Sequence, residues 1–114
     1  MANLPDDILT TIFHLQRRLF QIIDRAKAAE FNLLQQYGER EATLPELEQI
    51  DNALERARTS YTRLGKLLLL VAESQPIANS ATLKLLEQSI EIAEATADAI
   101  EATIQETKRN WNLP

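Results

Sequence analysis

A chain of 114 residues with 45% hydrophobic and 25% charged side chains has room for one soluble core and no second. It contains no cysteine, which excludes disulfides, thiolate metal sites and a cysteine nucleophile. The net charge of −5, with no concentrated basic patch, argues against a nucleic-acid partner, whose phosphates an acidic surface repels.

Two glycines and four prolines are few enough for a chain that is mostly helix. The first predicted helix covers 5–37. Pro5 suits a first helical turn, and Asp6 and Asp7 favour the positive end of the helix dipole. Apolar residues then recur at Ile8, Ile12, Leu15, Leu19, Ile22, Ala26, Ala29 and Leu33. Their steps alternate four and three, the 3.5-residue period of a helix that faces other helices. Gly38 reads as the stop, because glycine takes up the left-handed conformation at little cost.

The second helix is expected over 44–74. Thr43 and Glu46 have the spacing of a capping box, in which each side chain satisfies a free N–H of the first turn. The seam runs Leu47, Ile50, Leu54, Ala57, Tyr61, Leu64, Leu68, Val71, and Pro76 forces the chain out of the helix. The third helix, over 80–111, begins after Asn79 or Ser80 as N-cap. Its seam is Leu83, Leu86, Ile90, Ala93, Ala97, Ile100, Ile104, Thr107, Trp111.

Short connections make neighbouring helices antiparallel. Folding back pairs Leu33 with Leu47, Ile12 with Leu68, Leu54 with Ile100 and Leu47 with Thr107, so the three seams agree with one another. Trp111 should close that end of the bundle near Tyr37, Leu44 and Leu47. The expected fold is all-α, an up-down-up antiparallel bundle of three long heptad-patterned helices in a single domain over 1–114. Helices of about 30 residues make it a rod roughly 45 Å long.

Some apolar residues exceed what two seam positions per heptad require. Leu9, Phe13, Phe20, Ile23 and Leu34 form a second stripe on the first helix, and Leu67, Leu69 and Leu70 surround the second. Either a wide core stripe absorbs them, or Leu9, Phe13, Phe20, Leu67, Leu69 and Leu70 form a patch for self-association or a partner. A homodimer, joining two bundles into a larger one, is the simplest outlet.

Reactive constellations are sparse. His14 is the sole histidine, and a single imidazole makes neither a two-histidine metal site nor a triad. Glu87, Glu91, Glu94, Asp98 and Glu101 form an acidic ridge on the third helix. Such a ridge can offer oxygen ligands to a divalent cation. It can equally be a solvated face paired with Arg56, Arg58, Arg63 and Lys66 of the second helix. Arg17, Arg18, Arg25 and Lys27 read as a solvated face offset by Asp24 and Glu30.

Glu91-x-x-Glu94 and Glu48-x-x-Asp51 resemble the paired carboxylate motifs of helical, magnesium-dependent nucleotide pyrophosphohydrolases. The order of the two pairs is reversed here, and no lysine or asparagine motif accompanies them. The resemblance implies, as the alternative function, a divalent-metal-dependent enzyme using helix-borne carboxylates.

Met1 to Asp7 carries two acids and no basic run, so it does not read as a signal peptide. The longest apolar stretch, Leu67 to Ala72, is too short for a membrane span. The leading expectation is a cytoplasmic, non-enzymatic interaction or assembly module. It has no cofactor and no metal site, and it binds itself or another protein through an apolar or acidic helix face.

Overall fold

In the computed structural model, residues 4–114 are described, so the reading of Met1 to Asp7 lies partly outside the described residues. Three α-helices follow one another: α1 (Asp6–Tyr37), α2 (Leu44–Glu73) and α3 (Ser80–Asn110). Each packs on both others, giving an up-down-up bundle of 56 × 21 × 17 Å. There are no strands among the described residues.

The α1 seam is buried from Ile12 through Leu33 at every expected position, and only Ile8, at the end, is half-exposed. Pro5 precedes the helix with extended backbone, and its carbonyl accepts from the N–H groups of Ile8 and Leu9 at 3.1 and 3.2 Å. Gly38 ends α1 at φ 73°, ψ −179°, and its N–H donates to the Leu34 carbonyl. This is extended backbone at positive φ, not the left-handed helical turn expected, and it is a region open essentially to glycine alone.

The α2 seam departs from expectation between its seven-residue anchors. Ile50, Ala57, Leu64 and Val71 are buried as expected, but the intervening positions are filled by Ala53, Ser60 and Leu67. Leu54 is buried as well, Leu68 is half-buried, and Tyr61 is 39% exposed. A helix with two neighbours buries a stripe wider than one seam. Small Ala53 and Ser60 fill buried positions of that stripe, and Tyr61 stays at its margin. In α3, Ser89 joins the core, while Leu83, Ile90 and Trp111 are half-buried.

No capping box forms at the start of α2. Thr43 has helical backbone angles and makes no side-chain cap. Its hydroxyl is fully buried and turns back into the loop, donating to the Gly38 carbonyl at 2.8 Å and accepting from the Arg40 N–H at 2.9 Å. Burial explains the change, because an enclosed hydroxyl must find its partners in the turn that encloses it. Glu46, freed from capping, instead accepts a hydrogen bond from the Thr107 hydroxyl of α3. Asn79 does cap α3, its Oδ1 accepting from the Thr82 N–H at 2.8 Å. At the far end the Tyr37 and Trp111 rings meet edge to face at 5.0 Å, and the Tyr37 hydroxyl donates to the Trp111 carbonyl.

Candidate functional site

The α1/α3 and α1/α2 grooves differ in chemistry. Between α1 and α3 the contact is ionic. Arg18 Nη2 donates to Asp98 Oδ1 and to Glu101 Oε2, both at 2.7 Å, and Arg25 Nη2 donates to Glu101 Oε1 at 2.8 Å. The acidic ridge therefore meets arginines of α1 through Asp98 and Glu101. The bases expected to pair with it, Arg56, Arg58, Arg63 and Lys66, lie exposed on α2, where Arg58 reaches Glu55 of its own helix at 3.6 Å. The ridge turns toward α1 because the antiparallel fold sets the acidic flank of α3 beside that helix.

Glu87, Glu91, Glu94 and Asp98 are exposed, and Glu101 is half-buried. Above Arg18, a polar cleft of about 600 Å³ brings Thr10, Thr11 and His14 opposite Glu94 and Asp98. The hydrogen bonds from Arg18 and then Arg25 hold the Glu101 carboxyl below its ordinary value of 4.5. A depressed carboxylate contributes stability above its unfolded pKa and loses it as the pH falls through the folded one. Glu101→Gln is thus expected to lower the melting temperature modestly near neutral pH and to converge on the wild-type value as the pH falls below about 4.5. Thermal melts from pH 7 to pH 2.5 check this, and a variant curve parallel to the wild type throughout would refute it.

The two acid pairs of the pyrophosphohydrolase-like alternative do not converge. Glu46 is level with Thr107, which puts Asp51 near residue 102 of the antiparallel α3. Glu94 is then about 12 Å further along the bundle axis at 1.5 Å per residue. They also occupy different grooves: Glu94 lines the α1/α3 cleft, whereas Glu48 and Asp51 lie beside Glu30 and Leu34 between α1 and α2. Among the described residues, no three His, Asp or Glu side chains come together in a way that could hold a metal ion. No helix among them is long and apolar enough to cross a membrane.

The α1/α2 groove is different again. At the end near the α2–α3 loop it is a trough of about 390 Å³, with Leu9, Phe13 and Gln16 on one wall and Gly65, Leu68, Leu69 and Ala72 on the other. Phe13 is 58% exposed, and Phe20 and Leu69 are each 63% exposed. The expected patch is thereby divided. Leu9, Phe13 and Leu69 line one trough, with Phe20 two turns beyond Phe13 on the same stripe of α1. Leu67 is corrected from surface to core, at 6% exposure, and Leu70 is exposed but lies outside the trough.

Two residues of this site were missed by counting apolar side chains. Gln16 occupies a stripe position but is polar. Gly65 is a glycine inside a helix, which costs about 1 kcal/mol relative to alanine. An added Cβ there would meet only the Gln16 Nε2 at 3.4 Å, an ordinary contact. Packing within the subunit does not require this glycine; its effect is to lower the wall of the trough. An isolated glycine in a helical pattern was the available signal. Compared with known proteins, the chain matches no protein-family model, no curated protein and no solved structure.

Proposed function

We propose that this is a non-enzymatic assembly module, working in the cytoplasm, whose α1/α2 face is covered by another protein surface. The observation that carries the reading is the contrast between grooves. The α1/α3 groove is bridged by Arg18 and Arg25, while the α1/α2 face leaves Phe13 and Leu69 in its trough, and Phe20 further along α1, more than half open. Contiguous apolar surface of this kind on a small protein marks interaction sites. Helix packing into such a trough is the matching mode, with spaced apolar anchors supplying the contact.

Site-specific photo-crosslinking tests it. A benzophenone amino acid placed at Phe13 or Phe20 in living cells is expected to yield a protein adduct, with Gln88 on α3 as the control position. Adducts from positions 13 and 20 but not 88 support the reading, whether the captured chain is a second copy or a different protein. Equal labelling at all three, or none at 13 and 20, overturns it.

A further inference from the structure

We propose that the occupant of this face is a second copy of the same chain, related by a two-fold axis that passes beside Gln16; this rests on reading the face as an assembly surface. Along α1 the stripe reads Leu9, Phe13, Gln16, Phe20, Ile23, in steps of four, three, four and three. Read outward from Gln16 the two directions agree to within one residue, with large apolar residues three and seven positions before it and four and seven after. An antiparallel copy therefore sets Leu9 against Ile23, Phe13 against Phe20 and Gln16 against Gln16. That is the self-complementarity a two-fold interface demands.

The stripe is also bounded. The next positions toward the C-terminus are Lys27 and Glu30, whose side chains bond each other at 3.0 Å. Toward the N-terminus the helix ends at Asp6. Phe20, Ile23, Phe31 and Leu34 are disposed evenly about Lys27 as well, but an axis there would set two ammonium groups face to face, a like-charge contact that disfavours it. Gln16 is the centre that chemistry permits.

The polar centre fits the same arrangement. A glutamine amide carries both donor and acceptor, so two of them facing across an axis satisfy each other reciprocally. One polar residue in an apolar seam is a known way to fix register and chain number at some cost in affinity. Gly65 lies beside Gln16, and its missing side chain leaves the approach to that amide open.

Area is sufficient for the centre of an interface. At about 200 Å² per ring, the exposed parts of Phe13 and Phe20 leave roughly 240 Å² open on each chain. Leu69 adds to this from α2. Specific interfaces begin near roughly 600 Å² per partner, so the two rings provide less than half, and a dimer requires the polar flanks of a stripe about 21 Å long to be covered as well. Arg17 stands next to the axis and meets its own copy there, so added salt should tighten the dimer by screening like charges.

The absence of cysteine makes the register directly readable. Gln16→Cys is expected to give a disulfide-linked dimer on mild oxidation. Equimolar Leu9→Cys and Ile23→Cys chains should give the mixed disulfide in several-fold excess over either homodisulfide. Circular dichroism confirms that each variant is folded, and the mixed pair leaves Gln16 intact should its replacement disturb the seam. An Ile23→Cys homodimer forming faster than the Gln16→Cys one would overturn this axis while leaving self-assembly standing. A chain that stays monomeric while photo-crosslinking captures a different protein would overturn the second copy as occupant and leave the assembly module intact. No disulfide together with no photo-crosslink would remove both.

Discussion

Leu67→Ala is expected to destabilise the protein by about 2–5 kcal/mol, the range for emptying a leucine site in a packed core. Leu70→Ala, three residues further on, should change stability by no more than about 0.5 kcal/mol, as exposed substitutions do. Both belong to the run Leu67-Leu68-Leu69-Leu70, and nothing in local composition separates them. Geometry does: Leu67 continues the buried line through Ala53 and Ser60, while Leu70 is 52% exposed. For a domain of this size the first substitution corresponds to a fall in melting temperature of roughly 10–25 °C. Urea unfolding of the two variants side by side checks the contrast. Similar losses from both would mean that the α2 stripe is turned relative to the arrangement described.

Thr43→Val should cost about 1–3 kcal/mol although it preserves shape, because it leaves buried backbone groups without partners. The Arg40 N–H would lose its acceptor, and the Gly38 carbonyl would lose its donor, in the loop that turns α1 into α2. Thr43→Ser keeps the hydroxyl and should recover most of that loss. Had Thr43 been an ordinary helix cap, its loss would fray only the first turn of α2. Because its bonds hold Gly38 and Arg40, amide hydrogen exchange should instead quicken across the loop and the last turn of α1. Exchange confined to residues at the start of α2 would contradict this assignment.

Much of the fold was readable because its determinants are periodic. The α1 stripe is a single uninterrupted heptad pattern, and its buried set follows that pattern from Ile12 to Leu33. Helix ends marked by Gly38 and Asn79 were also local, since backbone conformation and a one-turn hydrogen bond decide them. What counting could not deliver was rotation. Tyr61 and Ser60, like Leu68 and Leu67, are neighbours that fit one period equally well, and only the crowding of a third helix selects the smaller or inner residue. The choice of ionic partner failed for the same reason. Whether the ridge through Asp98 and Glu101 meets bases of α1 or of α2 depends on which flank of α3 turns to which neighbour. The candidate site was half-visible: Leu9, Phe13, Phe20 and Leu69 were apparent as surplus, whereas Gln16 and Gly65 are informative for what they lack.

The claim that matters most is that the α1 stripe is buried against a second copy, and solution mass tests it most directly. Light scattering across a dilution series should give twice the 12.9 kDa chain mass at high concentration for the native protein. The double variant Phe13→Asp, Phe20→Asp, with unchanged helical content, should stay at 12.9 kDa throughout. A native protein that holds the single-chain mass at every concentration, indistinguishable from the variant, would contradict the claim.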